Sequence, residues 1–289
     1  MDVRLGPVLV TGATGRQGGA VANHLLQRGI PIRAFVRNGG DEAARRLHKL
    51  GAEIAVGTLD EPEDIEIAMV GCKGVYSMQT WKNGLDREVQ QGINVAEVAH
   101  LKKVNMLVYS SAAGANQDTG VPHFDSKFLI ERRIEDLHIN ALILRPVYFM
   151  ENLLEPMFFK GLDRGVLRFP LPPDKPLQFV AITDIGEMAA HAFEFPGEYT
   201  GRSIDLAGDE LTMPEVAKMF GRILGHQVRY EQMPLEEYAR HEPERAVMFD
   251  WLAREGYSAP IEELRILHPE MLNFQQWLNT VRLPQPAPV

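Results

Sequence analysis

The sequence predicts an α/β fold in which a doubly wound parallel sheet is followed by a smaller α+β lobe. Three observations predict this fold. Short apolar runs alternate with helical patterns through the first half of the chain, a glycine-rich turn follows the first apolar run, and the composition changes after Asn152. Strands that alternate with helices build βαβ units, and such units assemble into a parallel sheet with helices on both faces.

The first part of the chain consists of six predicted strands and the helices between them. We predict strands over 7–10, 32–36, 52–56, 74–78, 106–111 and 141–146. We predict helices over 19–28, 41–50, 63–69, 94–101 and 126–137. About six such repeats are typical of the Rossmann fold, the doubly wound sheet that binds dinucleotides.

A second lobe is indicated after Asn152. The segment 169–176, FPLPPDKP, is too rich in proline for a regular helix or a central strand. We therefore predict a nucleotide-binding domain at 1–152 and a lobe at 153–289 that mainly serves a substrate or a partner. Residues 178–206 are expected to return in part to the Rossmann sheet.

The second lobe contains strand and helix patterns of its own. We predict strands over 178–182, 203–208 and 227–233, with helices from Asp184 and over 213–224. The last helices carry Trp251 and Trp277. Because large aromatic side chains contribute most through their buried area, we expect both tryptophans to anchor a core.

Composition excludes several classes of protein. The 289 residues carry 39 acidic and 30 basic side chains, which gives a formal net charge of -9. Direct contact with nucleic acid needs a basic surface, so we expect only small molecules or a protein as partners. The single cysteine, Cys72, cannot form an intramolecular disulfide, which favours the cytoplasm. The chain has no apolar run of about 20 residues, so we expect no membrane helix.

The strongest motif is the segment VLVTGATGRQGG, which runs from Val8 to Gly19. Gly12 permits a tight turn, Gly15 lets backbone amides approach a pyrophosphate, and Gly18 lets the following helix pack on the sheet. The pyrophosphate then lies at the helix N-terminus, where unpaired amides favour an anion. The polar side chains placed to touch the phosphates or the nicotinamide half are Thr11, Thr14, Arg16 and Gln17.

Arg37 follows the second strand directly and bears on the choice of cofactor. A site that prefers NAD places an acidic side chain there, on the ribose 2′-hydroxyl. An arginine at this strand tip suits a 2′-phosphate instead, with Arg16 as an assisting residue, although an ordinary exposed arginine is the alternative. The sequence therefore predicts NADP(H) as the cofactor.

Several further segments of the sequence resemble those of a known protein family. The segments VTGATGRQGGAVANHLL, PHFDSKFLIERRI, LRPVYFMENLL and FVAITDIGEMAA, together with the tip at Arg37, resemble the NmrA-like family of atypical short-chain dehydrogenases. The resemblance extends over nearly the whole chain. It implies an NADP(H)-binding Rossmann domain, a smaller C-terminal lobe, and a substrate or a protein partner in the cleft between them.

The resemblance also implies individual contacts with the cofactor. Leu59 matches a residue near the adenine, and Thr58 stands beside it where the family more often has aspartate. Lys127 matches the lysine that hydrogen-bonds the nicotinamide ribose. Residues that match segments along the nicotinamide half are Ser77, Met78, Gln79, Pro146, Tyr148 and Phe149.

The catalytic residues are less clearly marked. Short-chain dehydrogenases pair a tyrosine proton donor with a lysine four residues later, but His123 stands four residues before Lys127. His123 is either the proton donor, for which its ordinary pKa near 6.5 is suitable, or a packing or capping residue. Because Pro122 precedes it, we expect a turn rather than helix at His123.

Other hydroxyl groups follow the strands at the carboxyl end of the sheet. Ser110 and Ser111 follow the fifth strand, where such a sheet opens onto its ligand. We predict that Ser110 contacts the cofactor and that Ser111 orients a substrate oxygen, unless its hydroxyl satisfies a turn. Tyr76 and Tyr148, at other strand ends, are alternative proton donors.

Two functions therefore stand side by side. The first is an NADPH-dependent reductase of a small apolar carbonyl, quinone or imine. The alternative is a redox sensor of the NmrA type that binds NADP(H) with little turnover and acts through a protein partner. The nine histidines are scattered without ligand spacing, so we predict no metal site.

Overall fold

The computed structural model describes residues 6–283, and the ends of the two predicted domains, 1–5 and 284–289, lie outside the described residues. The chain divides into two compact units. The first unit contains Gly6–Asp118, Pro122–Arg145 and Ile182–Ile204. The second contains Thr119–Val121, Pro146–Ala181 and residues 205–283.

The strands of the described chain are short. In chain order they are β1 (Val8–Val10), β2 (Ile32–Val36), β3 (Glu53–Val56), β4 (Gly74–Ser77), β5 (Met106–Ser110), β6 (Ala141–Pro146), β7 (Tyr148–Phe149), β8 (Val166–Phe169), β9 (Leu177–Val180), β10 (Arg202–Leu206), β11 (Asp209–Leu211) and β12 (Arg229–Gln232).

The helices lie between these strands and at the C-terminal end. They are α1 (Arg16–Gln27), α2 (Glu42–Lys49), α3 (Pro62–Met69), α4 (Leu85–Lys102), α5 (Pro122–Asp136), α6 (Pro156–Phe159), α7 (Ile182–Glu194), α8 (Pro196–Tyr199), α9 (Met213–Leu224), α10 (Leu235–Ala239), α11 (Pro243–Arg254), α12 (Ile261–Leu267) and α13 (Phe274–Thr280).

The main sheet has seven strands in the order β3-β2-β1-β4-β5-β6-β10. From β3 to β6 each neighbouring pair is parallel; Val8, for example, lies opposite Ile32 on one side and Gly74 on the other. The order reverses between β1 and β4, and ligands of open α/β sheets bind beyond the carboxyl ends of the strands at such a point. The predicted doubly wound Rossmann fold is confirmed.

The core of the first unit forms where apolar strand residues meet helix faces. On one side of the sheet, Leu9 and Leu107 belong to a buried cluster with Val95 of α4 and Ile130 of α5. Burial of each such side chain contributes about 1.5 to 3 kcal/mol. On α7, a Cβ at Gly186 would lie 2.8 Å from the backbone of Ala20 in α1, so a larger residue there would force these helices apart.

The beginning of α5 differs from the sequence prediction. The helix begins at Pro122 rather than Ser126, so the turn predicted at His123 is wrong. Proline is well suited to the first helical position, because the N–H that it lacks has no partner inside a helix there. As a consequence, His123 and Lys127 lie one turn apart on the same helix.

The second unit contains two small sheets and an aromatic core. Strands β11, β9 and β7 form one sheet, and β12 pairs with β8 in the other. Of the segment expected to return to the Rossmann sheet, α7 packs on α1 and β10 is an edge strand, whereas β9 belongs to the three-stranded sheet instead. Trp251 and Trp277 are both buried, which confirms the prediction that they anchor a core.

Among the described residues, none of the helices combines the length and the apolar character that crossing a membrane requires.

Candidate functional site

A pocket of about 260 Å³ opens in the first unit beyond the carboxyl ends of β1, β2, β3 and β4. Seven of the predicted cofactor residues line it, namely Gly12, Thr14, Gly15, Arg37, Leu59, Met78 and Gln79. Its other lining residues are Phe35, Val36, Gly57, Thr58, Thr80, Asn83, Arg87 and Gln91. The pocket therefore lies where a doubly wound sheet binds a dinucleotide.

The glycine-rich turn leaves room for a ligand at the start of α1. Gly12 has a φ of +61°, and a Cβ there would lie 2.6 Å from Cε of Met78. A Cβ at Gly18 would strike the backbone of Gly12. Gly15 caps α1 without a side-chain hydrogen bond, and the first turn of the helix has no acidic residue. The amides at this N-terminus are thus suited to a phosphate.

Thr11 holds the turn against the end of β4. Its hydroxyl donates to the carbonyl of Met78 at 3.1 Å and accepts from the amide of Met78 at 2.8 Å. The amide of Thr11 also donates to the carbonyl of Tyr76 at 3.0 Å. These hydrogen bonds between residues far apart in the sequence hold the glycine-rich turn in a fixed position relative to Met78, which lines the pocket.

Gln17 is oriented by two hydroxyl groups. Ser110 Oγ donates to Gln17 Oε1 at 2.7 Å, and the Tyr76 hydroxyl donates to the same oxygen at 3.3 Å. Within the described chain the amide nitrogen of Gln17 is the end that remains for a ligand. Burial raises the pKa of Tyr76 well above its ordinary value, so this hydroxyl stays neutral.

Arg37 lies at the rim of the pocket immediately after β2, as predicted. Its side chain is exposed and forms no ion pair with any of residues 6–283. Arg16, the first residue of α1, is exposed as well. The exposed guanidinium of Arg37 is suited to bidentate contact with a phosphate.

An ion pair that was not predicted borders the pocket near Leu59. Arg87 of α4 contacts both carboxylate oxygens of Asp60, at 2.8 and 2.5 Å, and Gln91 donates to Asp60 at 2.8 Å. The hydrogen bonds from Arg87 are the main reason that the pKa of Asp60 is lowered far below its ordinary value. The bonds from Arg87 and Gln91 tie this loop to α4, and Thr58 donates to Asp60 within the loop.

Lys127 is buried and pairs with a residue that sequence reasoning missed. Its ammonium donates to Oε1 of Glu88 on α4 at 2.9 Å, and only 8% of Lys127 is exposed. The hydroxyl of Ser126 donates to Oε2 of Glu88 at 2.5 Å. The signal that was available is Glu88 itself, a carboxylate on the apolar side of an amphipathic helix.

His123 is buried in the first turn of α5 against an aromatic neighbour. Its ring stacks on Trp81, with a distance of 5.2 Å between ring centroids and an angle of 27° between the planes. Phe124 meets the same ring edge-on at 4.9 Å. Trp81 lies in a short 3-10 helix that follows β4, and it was not predicted as a site residue.

Ser111 belongs to a second buried ion pair. Its hydroxyl donates to Glu131 of α5, and Arg145 of β6 contacts both oxygens of the same carboxylate, at 3.0 and 2.6 Å. Glu131 is fully buried. The proton of the Ser111 hydroxyl is therefore donated inside the protein, so in this arrangement Ser111 cannot also donate to a substrate carbonyl oxygen.

Ser77 and Gln79 contact each other at the end of β4. The amide of Gln79 donates to Ser77 Oγ at 3.0 Å, and both residues are buried. The carbonyl oxygen of the Gln79 side chain has no hydrogen-bond partner among the described residues. Gln79 thus keeps one acceptor that a donor on a ligand would satisfy.

The remaining predicted residues belong to the second unit. Pro146 is the last residue of β6, and Tyr148 and Phe149 form β7. The ring of Tyr148 is buried against Phe169 and other aromatic side chains, and burial raises the pKa of its hydroxyl well above the ordinary value. A buried, weakly acidic hydroxyl makes Tyr148 a poor proton donor.

Metal ligands are not grouped in the part of the chain that the structure describes. Within residues 6–283, no three His, Cys, Asp or Glu side chains lie together in a way that would hold a metal ion. Cys72 is buried, and burial raises the pKa of its thiol to about 11.

Comparison with known sequences decides the family. The model of the NmrA-like family matches residues 6–277, nearly the entire described chain. The chain belongs to the NmrA-like family. This result confirms the resemblance that the sequence motifs indicated.

Relatives of this NmrA-like protein carry different names. An NmrA-like family domain-containing protein of Dictyostelium discoideum is 27% identical over 248 residues, which cover 81% of this chain and 82% of the relative. An NAD(P)H azoreductase of Xenophilus azovorans is 27% identical over 232 residues, covering 80% of this chain and 78% of the relative.

A solved structure agrees with the fold. The triphenylmethane reductase of Citrobacter sp., crystallised with NADP(H), has a TM-score of 0.83 and is 21% identical, covering 95% of this chain and 100% of that chain. At this level of identity the agreement shows the fold alone.

Proposed function

We propose that this protein is an NADPH-dependent reductase that transfers a hydride to a small, largely apolar carbonyl, quinone or imine. The observation that carries the proposal is the pocket beyond β1, β2 and β4, with an uncapped helix N-terminus and the side chain of Arg37 at its rim. The names of two relatives, an azoreductase and a triphenylmethane reductase, support a reductase.

The residues of the pocket fit a dinucleotide with a 2′-phosphate. The amides at the start of α1 are suited to the pyrophosphate, because no side chain caps this helix N-terminus. Arg37 is suited to the 2′-phosphate, and Leu59 offers an apolar surface to the adenine. The NH₂ group of Gln17 and the free acceptor of Gln79 remain for polar groups of the cofactor.

Reduction of a carbonyl, quinone or imine needs a hydride and a proton, and the bound nicotinamide supplies the hydride. In this proposal Lys127 hydrogen-bonds the nicotinamide ribose. His123, which takes the position of the usual tyrosine one turn before Lys127, supplies the proton. The indole of Trp81 holds the imidazole in one plane.

Consumption of NADPH by the purified protein tests the proposal. Loss of its absorbance is followed with a panel of quinones, aldehydes, ketones, imines and dyes. We expect turnover with at least one of these classes, and we expect His123→Ala and Lys127→Ala to abolish it. Turnover that survives both substitutions would remove these residues from the mechanism.

The second candidate is a nucleotide sensor that acts through a protein partner. The observation that favours it is the buried state of His123, because a proton donor must reach a substrate and only 6% of this residue is exposed. Tight NADPH binding without turnover on any member of the panel would favour the sensor over the enzyme.

A further inference from the structure

Glu88 is a buried carboxylate whose two oxygens are both bound by side chains of α5. It lies on α4 with no exposed surface, and both of its oxygens accept hydrogen bonds from neighbouring residues of α5. Oε1 accepts from the ammonium of Lys127 at 2.9 Å, and Oε2 accepts from the hydroxyl of Ser126 at 2.5 Å. Glu88 therefore sets both the position and the charge environment of the Lys127 ammonium.

Packing of α4 on α5 does not require this buried pair. Gly92 of α4 already lies directly against the side chain of Ile130 of α5, and an exposed ion pair between Glu97 and Arg133 joins the same two helices at 2.7 Å. Desolvation makes a buried ion pair about as favourable as an apolar pair of similar volume. A function beyond packing explains why a charged pair occupies this place.

The hydrogen-bonding capacity of Lys127 indicates that function. A lysine ammonium has three N–H donors, and Glu88 takes one of them. The two donors that remain equal the number of hydroxyl groups on the nicotinamide ribose. We propose that Glu88 is the positioning residue of Lys127, holding its ammonium so that the other N–H groups meet that ribose; the inference rests on the proposed function.

The surroundings of Lys127 agree with this role. His123 and Glu131 lie one turn before and one turn after it on α5, and Arg145 already neutralises Glu131. Tyr109 of β5 stays neutral, because burial and the nearby charges of Glu88 and Glu131 raise its pKa. Among these groups, Glu88 is the carboxylate that contacts the ammonium.

The same stretch of α4 also borders the nucleotide pocket. Arg87, the residue before Glu88, lines the pocket and binds Asp60. Neighbouring residues on a helix point in different directions, about 100° apart, so one turn of α4 serves two contacts. A test must therefore separate an effect on the nicotinamide half from a general disturbance of the pocket.

Measuring the affinity for two ligands separates an effect on the nicotinamide half from a general disturbance of the pocket. NADPH carries both halves of the cofactor, whereas adenosine 2′,5′-bisphosphate lacks the nicotinamide ribose. Calorimetry gives the Kd of each ligand for wild type, Glu88→Gln, Lys127→Met and the double variant. Glu97→Gln is the matched control, because it removes an ion pair between the same two helices at an exposed position.

We expect Lys127→Met to weaken NADPH binding by at least about tenfold, because it removes both proposed hydrogen bonds to the ribose. We expect Glu88→Gln to weaken it by about tenfold, because the ammonium is no longer held in place. Affinity for adenosine 2′,5′-bisphosphate stays within about twofold of wild type, and the double variant is no weaker than Lys127→Met, because the two residues act as one unit. Glu97→Gln leaves both affinities unchanged. Should Glu88→Gln fail to fold, Glu88→Asp takes its place, with the same selective loss expected.

Other results would overturn the inference. Equal weakening of both ligands would assign Glu88 to packing alone, and an unchanged NADPH affinity in Glu88→Gln would remove it from the site. Wild type that binds neither ligand would refute the proposed function itself, which is a different outcome from wild type that binds both.

Discussion

Replacing Arg37 with alanine removes the guanidinium at the rim of the pocket while leaving the fold in place. Arg37 is exposed and forms no ion pair within residues 6–283, so its removal leaves no buried charge without a partner. The change in affinity for the cofactor then reports the contact with the 2′-phosphate itself.

The size of that change follows from the position of the side chain. A hydrogen bond to a charged group contributes about 1.5 to 3 kcal/mol. Because Arg37 is exposed, solvent screens the contact, and we take the lower end, about 1.5 kcal/mol or tenfold in Kd. NADH lacks the phosphate, so its affinity stays constant. Added salt narrows the difference, since exposed charges are screened at high ionic strength.

Titration of the intrinsic fluorescence with NADPH and with NADH measures both Kd values for wild type and Arg37→Ala. Arg46→Ala is the control, because Arg46 is also exposed but does not line the pocket. If Arg37→Ala weakens NADH as much as NADPH, or weakens neither, Arg37 does not read the 2′-phosphate.

Three further substitutions test the site and its support. Gly12→Ala places a Cβ 2.6 Å from Met78 at a φ of +61°, so we expect a loss of at least about 1 kcal/mol in thermal unfolding and no NADPH binding; normal binding would contradict the reading of the turn. Asp60→Asn removes a carboxyl whose pKa is lowered in the folded state. Its contribution to the free energy of unfolding is present above about pH 4 and is lost as the pH falls through the folded pKa. We expect a loss of less than about 1 kcal/mol at pH 7 and a free energy of unfolding that depends less on acid pH; an unchanged dependence would count against the ion pair. Glu131→Gln removes the negative charge that the buried Arg145 guanidinium and the Ser111 hydroxyl contact, so urea unfolding is expected to show a loss of about 1.5 to 3 kcal/mol, and a loss near zero would refute the buried pair.

Much of the fold follows from local patterns. The strands at Ile32–Val36 and Ala141–Pro146 and the helix at Met213–Leu224 have the predicted bounds, because each is a continuous apolar or amphipathic run between turn residues. Helix starts were harder to predict. Pro122 was interpreted as a turn, although proline is equally compatible with the first turn of a helix.

The residues around the pocket were predicted in part for the same reason. Arg37 and Met78 each follow a strand directly, and Gly12 comes two residues after the end of β1, so the parallel sheet brings them to one edge. Arg87 and Gln91 also border the pocket, but they lie within a helix, and no local signal distinguishes them from an ordinary solvated face.

By itself, the sequence determined the strand and helix order as far as Pro146, the glycine-rich turn and the basic residue at the tip of β2, since these depend on residues close together in the chain. Only the tertiary structure decided the partners of the candidate catalytic residues. Lys127 pairs with Glu88, 39 residues away, and Ser111 with Glu131, 20 residues away. Buried polar groups take whichever partner the packing of helices on the sheet brings near, and no local periodicity records that choice.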